Sequence, residues 1–369
     1  MAQQRIRVGI VGANVRYGWG VRAHVPALLA LPEYELTAVC TAHKETAEES
    51  ARQSGARYAF SDFNEMVVHP EVDLVTVAVR VPLHHQVVMA ALKAGKHVYC
   101  EWPLGANLEE AQAMAGLARS KGVRHMVGLQ GRMSPPLLRL KEMVREGYVG
   151  DVLAVNMTMF LPGILQRSSR QTWMADPKNG ANTLTISAGH ALDALCFCLG
   201  ELQEVSAQVS TQVKEWRLAD TKEAVPVAAP DNVLVSGVLT SGAIASVHVA
   251  TVPWHGAGWR LEVYGRGGTL VATGPEMVQY TSIRLQGGRE VEKALSDVAI
   301  PGRLVSVPPA VPFGPPFNVA QMYRRLARAI HDDEDVDPSF ASAVQRHRLL
   351  AAIEHSSAEG RRVVVVPSS

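Results

Sequence analysis

Gly12, Asn14, Gly18 and Gly20 follow directly on the apolar run Arg5–Val11, in the order Gly12-Ala13-Asn14-Val15-Arg16-Tyr17-Gly18-Trp19-Gly20. A strand that delivers a glycine turn into a helix start can cradle a pyrophosphate. Glycine lets the backbone approach the phosphates, and the N–H groups at the helix start face the charge. Val21–Leu31 reads as that helix. The usual G-x-G-x-x-G spacing is not met: Asn14 takes the second glycine position, and the turn is a residue or so longer. Asparagine tolerates left-handed backbone angles better than most residues. Gly12, Ala13, Asn14, Tyr17, Gly18 and Trp19 are therefore the candidate dinucleotide contacts. The end of the second strand reads Val39-Cys40-Thr41-Ala42-His43-Lys44. It offers no carboxylate for the ribose 2′-hydroxyl of NAD, whereas Thr41, His43 and Lys44 could face a 2′-phosphate. NADP is expected ahead of NAD.

A second set of chemistry-bearing residues stands later in the chain. His190 begins an apolar helical stretch, and Asp193 follows three residues on, on the same helical face. An imidazole, with an ordinary pKa near 6.5, suits proton transfer at neutral pH. Arg132 follows the last strand of the first half, where a cleft and a substrate are expected. Trp173 and Lys178 lie on the loop before a glycine-rich turn and are candidate pocket walls.

Other classes are excluded or unsupported. The chain has 369 residues and a net charge of +1, so its total charge carries no nucleic-acid or membrane-surface footprint. At 47% hydrophobic it has material for real cores. No apolar run approaches a membrane span, and no signal peptide is read at the start. Cys40, Cys100, Cys196 and Cys198 make neither a zinc pattern nor a disulfide framework, which suits reduced thiols in the cytoplasm. No H-E-x-x-H, H-x-x-E-H or Cys/His cluster supports a metal, and no G-x-S-x-G elbow supports a serine hydrolase.

The elements that must position these residues change character along the chain. Strands at Arg5–Val11, Glu35–Thr41, Asp73–Val79, His97–Glu101 and Val123–Leu129 alternate with helices at Val21–Leu31, Lys44–Ser54, His84–Ala94 and Leu108–Lys121. This predicts a doubly wound parallel sheet over residues 1–130. Beyond it, helices at Pro135–Glu146 and Ser187–Leu199 accompany strands at Val152–Met159, Val233–Leu239, Ala243–Val252, Trp259–Tyr264 and Thr269–Ala272. Val307–Pro316 reads as a loop, Val319–His331 and Ala341–Glu354 as helices, and Val363–Val366 as a last strand. The expected class is α/β: an N-terminal Rossmann domain, then over residues 131–369 an α+β domain with a large, open, mostly antiparallel sheet. The open sheet face suggests a homodimer, or a homotetramer.

The segment Ala91-Leu92-Lys93-Ala94-Gly95-Lys96-His97-Val98-Tyr99-Cys100-Glu101-Trp102-Pro103-Leu104 resembles the Gfo/Idh/MocA family (glucose–fructose oxidoreductase, inositol dehydrogenase), which carries A-G-K-H-V-x-x-E-K-P-L there. His84, Asn179-Gly180-Ala181-Asn182, Gly189-His190 and Asp193 fit the same family, and the resemblance covers essentially the whole chain. Gly18-Trp19 with His24 and Pro26, Glu101-Trp102, and Gln130-Gly131-Arg132 with Ser134-Pro135 resemble one branch, that of the fungal galactose-regulon repressor. The resemblance implies NAD(P)-dependent chemistry on sugars, cyclitols or related polyols. It implies that Glu101 approaches the ribose–nicotinamide region, and that Arg80, His84 and Gln130 belong with the cofactor-binding residues. Trp102 stands where the family keeps its catalytic lysine; it is expected to stack near the nicotinamide or to cap the substrate pocket. Ile186 stands where the family has an aspartate. An indole N–H only donates, so Trp102 cannot be a general base. His190 is then the acid/base, assisted by Lys178 and oriented by Asp193. Three accounts follow: an oxidoreductase, which leads; a redox-neutral enzyme that uses its nicotinamide transiently, like the NAD-dependent glycosidases; and a catalytically silent regulator that binds a dinucleotide.

Overall fold

The computed structural model describes residues 4–280 and 282–365. Its apolar, β-branched runs near the N-terminus form strands β1 (Ile6–Val11), β2 (Tyr34–Cys40), β3 (Tyr58–Phe60), β4 (Leu74–Val77), β5 (His97–Glu101) and β6 (His125–Gly128). All pair in parallel, in the order β3-β2-β1-β4-β5-β6. The order reverses between β1 and β4, the switch point outside whose carboxyl ends such sheets bind ligands. Local chemistry sets the helix limits. Asn107 Oδ1 accepts from the Glu110 N–H and caps Leu108–Lys121, which ends at Gly122 with φ +63°. Strand β3 and the short helix Phe63–Val67 are additions to the expected elements. Both are too short to show a periodicity, and Asp62, the cap of that helix, is the only local sign of it.

The first compact unit runs to Gln130 and also takes in Val305–Val344. This differs from the single division expected at residue 130. The helix Pro315–Asp332 starts inside the expected loop Val307–Pro316 and lies against the Rossmann half. Tyr34 Oη donates to the Tyr323 carbonyl at 2.6 Å, Arg324 pairs with Glu33 at 3.2 Å, and the Phe340 N–H donates to His125 Nδ1 at 3.1 Å. An amphipathic helix goes where its apolar stripe is covered, and chain order does not decide that.

The second unit, Gly131–Leu304 with the residues from Gln345 on, is built on β7 (Val152–Pro162), β8 (Leu202–Ser210), the hairpin β9 (Glu215–Arg217) and β10 (Ala224–Pro226), and β11 (Asn232–Leu239), β12 (Ile244–Val252), β13 (Gly258–Gly265), β14 (Gly268–Gly274), β15 (Arg284–Arg289), β16 (Ser296–Asp297) and β17 (Val363–Val364). Nine strands form one sheet, β16-β15-β14-β13-β7-β12-β11-β8-β17, antiparallel except for the pair β7–β12. Val366, the end of the last expected strand, lies outside the described residues. Period-2 alternation buries Val233, Val235, Val247, Val249, Met157 and Met159 on one face. The helix Gly189–Leu199 is entered through a π-helical turn, Thr183–Ala188, which the 3₁₀ turn Pro177–Asn179 closely precedes.

Candidate functional site

At the switch point of the parallel sheet, Gly12 ends β1 with φ +102°, and a Cβ built there would lie 2.3 Å from the Ala78 carbonyl oxygen at the end of β4. Only glycine fits. Asn14 holds the next bend: its Oδ1 accepts from the Arg16 N–H at 3.0 Å and its carbonyl from the Tyr17 N–H at 3.2 Å. The side chain thus closes a turn that a second glycine would otherwise make. Gly18 has φ +110°, and a Cβ there would make only an ordinary contact, 3.8 Å from the Gly12 carbonyl oxygen. Gly20 opens the helix with its Cα against the turn; a Cβ there would meet Gly12 O at 2.7 Å. The cradle is therefore of the right kind for a pyrophosphate at a helix start. Gly12→Ala is expected to cost ~1–3 kcal/mol of local strain and to weaken dinucleotide binding roughly tenfold or more by calorimetry. Undiminished binding would place the dinucleotide elsewhere.

Beneath this turn lies a buried polar chain that the sequence reading did not foresee. His24 Nε2 is 2.8 Å from Glu101 Oε1, and its Nδ1 is 2.8 Å from Tyr323 Oη, which is 2.8 Å from Thr76 Oγ1. Gln130 Nε2 donates to both Glu101 oxygens at 2.8 Å. A carboxylate only accepts, so the Nε2 of His24 that faces Glu101 carries a proton, and Tyr323 Oη links Nδ1 to Thr76 Oγ1. Glu101 and Gln130 were expected to touch cofactor. Here Gln130 holds both carboxylate oxygens, and His24 meets Oε1. No local signal links residue 24 to residue 323; only the return of the Val305–Val344 segment does so.

The remaining expected cofactor residues divide. Thr41 is buried, its hydroxyl 3.0 Å from the His43 carbonyl and 2.6 Å from Thr46 Oγ1, so it shapes the loop instead of offering a free donor. His43 and Lys44 are exposed at the start of the helix Lys44–Ser54, with Lys44 Nζ 3.8 Å from Glu48. Ala13 is buried, Tyr17 half-exposed and Arg80 exposed, whereas Trp19 is half-buried and Trp102 buried. His84, expected among the cofactor residues, packs at the start of its helix. It is fully buried, with Nδ1 2.8 Å from the Pro103 carbonyl and Nε2 3.1 Å from the Val79 carbonyl. Burial pushes its pKa down despite those carbonyls, so the ring is a neutral brace between two loops.

In the second unit, Asp193 and Arg132 prove to be each other's partners. Arg132 Nε and Nη2 donate to the two Asp193 oxygens at 3.0 and 2.7 Å, and Arg346 Nε reaches Oδ1 at 3.3 Å. Arg346 then makes a second bidentate pair, with Glu201, at 3.2 and 2.9 Å. Burial alone would raise the Asp193 pKa; the Arg132 guanidinium, and behind it Arg346, hold it below the ordinary range. Asp193 thus secures two arginines, and Arg132 is held in a buried ion pair. Lys178 is exposed, its N–H bonded to Asp176 Oδ1, and Trp173 is half-buried beside it, its carbonyl accepting from Asn179. His190 is 5% exposed and near enough for its charge to act on Asp193. An open cleft in the same unit is lined by Asn182, Thr183, Ile186 and Ser187 from the π-helical turn, together with Arg167 and Trp216. His190 follows Ile186 and Ser187 by four and three residues, across the junction of the π-helical turn and the helix, and is not itself among the lining residues. Lys178 and Trp173 are not among the lining residues.

Among the described residues no group of three or more His, Cys, Asp or Glu is placed to hold a metal, and no helix is long and apolar enough to cross a membrane. All four thiols are free and buried, and burial pushes those of Cys40, Cys196 and Cys198 up to about 12.

Residues 6–129 match the family model described as an oxidoreductase family with an NAD-binding Rossmann fold, and residues 135–274 match the model described as the C-terminal domain of Gal80p. Dehydrogenase aclE of Aspergillus oryzae is 38% identical over 224 residues, 59% of this chain and 61% of that protein. The galactose/lactose metabolism regulatory protein GAL80 of Saccharomyces cerevisiae is 30% identical over 257 residues, 64% of this chain and 58% of that protein. The alignment thus spans about three fifths of the length of each of these two relatives. A solved structure of levoglucosan dehydrogenase with NADH and L-sorbose superposes with a TM-score of 0.86, at 25% identity, covering 99% of this chain and 100% of that one.

Proposed function

Because the chain belongs to the Gfo/Idh/MocA oxidoreductase family with an NAD-binding Rossmann fold, and to its branch with a Gal80p-like C-terminal domain, we propose that it is an NAD(P)-dependent oxidoreductase acting on a hydroxyl or carbonyl carbon of a sugar-like or other cyclic substrate. The observation that carries this reading is the glycine cradle at the end of β1, where only glycine fits at residue 12; His190, a buried imidazole four and three residues beyond the cleft-lining Ile186 and Ser187, is assigned as the acid/base. A bound nicotinamide would supply the hydride acceptor or donor. Gly12, Asn14, Gly18 and Gly20 would hold its pyrophosphate, with Ala13, Tyr17 and Trp19 beside them. Glu101, fixed by His24 and Gln130, and Trp102 complete the cofactor half. In the oxidation direction His190 Nδ1 or Nε2 takes the hydroxyl proton as the carbon loses hydride; in reduction it returns that proton. The relatives support the substrate class, since a levoglucosan dehydrogenase has been solved with L-sorbose. The decisive test is absorbance at 340 nm with a panel of sugars and cyclitols and either coenzyme.

NADP is proposed as the preferred coenzyme, because the end of β2 bears no carboxylate and exposes His43 and Lys44. Lys44→Ala is expected to weaken NADP binding about fivefold and to leave NAD unchanged, the scale of one exposed charge contact. Equal loss for both coenzymes would remove the 2′-phosphate assignment. The buried free thiols suit a reducing, cytoplasmic setting, and a homodimer or homotetramer through the outer face of the nine-stranded sheet is proposed with it. A second reading is a dinucleotide-binding regulator. Trp102 and Ile186, at the positions of the family's lysine and aspartate, favour it. Binding of coenzyme without turnover on any panel member would select it.

A further inference from the structure

The cleft of the second unit has one ionisable side chain in its lining, Arg167; no carboxylate lines it. The Arg167 guanidinium lies over the ring of Trp216, its carbon 5.3 Å from the centroid, and its Nε is buried without a hydrogen-bond partner. Burial lowers its pKa and no acid opposes the shift, yet a guanidinium stays protonated at neutral pH. The contrast within this unit is instructive. Arg132 and Arg346 are buried too, and each is held by a carboxylate through two hydrogen bonds. At the open cleft the partly buried Arg167 guanidinium stands with no carboxylate against it among the described residues. Desolvating a cation without a counter-charge is unfavourable, and an arriving anion relieves that cost. The surrounding lining is apolar or neutral, with Asn182, Thr183, Ser187, Thr251 and the Trp216 indole N–H as its hydrogen-bonding groups. Ile186, where the family resemblance implies an aspartate, removes the acid that would repel an anion.

We propose that the ligand of this cleft is an acidic sugar or cyclitol, whose carboxylate or phosphoryl group seats on Arg167 above Trp216. The proposal rests on the oxidoreductase reading for its sugar-like body and narrows that reading to anionic substrates. A planar guanidinium, flanked by an aromatic face, presents paired N–H donors that match either group. Trp216 is carried on the hairpin β9–β10 and packs into a small apolar cluster with Leu218, Ile164 and Ala229, so the platform is fixed from below.

Calorimetry on the full chain, with and without NADH, tests this with three matched probes: D-glucuronate, D-glucose 6-phosphate and D-glucose. At least one acid is expected to bind tenfold or more tightly than D-glucose, with the advantage shrinking as NaCl is raised. The tighter of the two acids identifies carboxylate or phosphoryl recognition. Arg167→Met is expected to abolish the advantage, and Arg167→Lys, which keeps the charge and loses the fork, to retain part of it. If Arg167→Met does not fold, the wild-type ranking and its salt dependence decide. Equal binding of the three probes, binding of none, or an acid preference that survives in Arg167→Met overturns the proposal. Failure of NADH to associate would instead overturn the oxidoreductase reading, and the acid preference would still be read from the protein without coenzyme.

Discussion

Asp193→Ala is expected to lower the unfolding free energy by about 3–5 kcal/mol, the largest stability effect of any single change considered. The Asp193 side chain is 2% exposed, and those of Arg132 and Arg346 are 8% and 0%. Removing the carboxylate leaves Arg132 without its bidentate partner and Arg346 with Glu201 alone. Water cannot replace the lost acceptors without opening the helix Gly189–Leu199 that carries residue 193. The amide of Asp193→Asn keeps the shape and one acceptor but drops the charge, so an intermediate loss is expected. Urea unfolding at pH 7 measures both; a loss under about 1 kcal/mol for the alanine variant would show that the pair is screened as a surface bridge would be. The same experiment separates this account from the expectation that Asp193 serves the imidazole. A merely orienting carboxylate would change turnover and leave the unfolding midpoint in place.

The second large effect is on turnover. His190→Ala is expected to lower kcat/KM by about 10²–10⁴, the usual contribution of a general acid/base, with coenzyme affinity preserved. The separation of the two readouts matters, because the dinucleotide turn and the Glu101 network belong to the other compact unit. His190→Gln, which keeps a hydrogen-bonding side chain, is expected to recover little, since an amide cannot exchange a proton at neutral pH. Full turnover in the alanine variant would remove His190 from the chemistry. The replacement of the family's lysine by Trp102 would then have no compensating acid/base, and the regulatory reading would gain.

The two halves of the molecule were unequally legible. Helices at Lys44–Ser54 and Leu108–Lys121, and strand His97–Glu101, stand at their expected limits because glycine stops and caps are local chemistry. Strand β3 did not announce itself: three residues pair only with the end of β2, and their order is a property of the sheet. At the site, Gly12 was readable because its geometry is encoded in its own residue type. The partners of Asp193 were not. Arg132 lies 61 residues away and Arg346 153, so a helical-face argument linked Asp193 to His190 and missed both arginines. Arg167 was missed for a related reason. An arginine in a loop reads as solvated unless the fold places a tryptophan beneath it and withholds every acid from its surroundings.

The return of Val305–Val344 to the first unit has a consequence for how the polypeptide is made. When a ribosome has released the six strands of the parallel sheet, Tyr323, whose hydroxyl completes the His24–Glu101 chain and whose carbonyl receives Tyr34, has not yet been synthesised. The nascent N-terminal half must wait, with the surface meant for Pro315–Asp332 uncovered, while the intervening sheet is translated. Excising residues 1–130 as a stand-alone coenzyme module would make that wait permanent, whereas a fusion that rejoins 305–344 to its end would restore the missing wall.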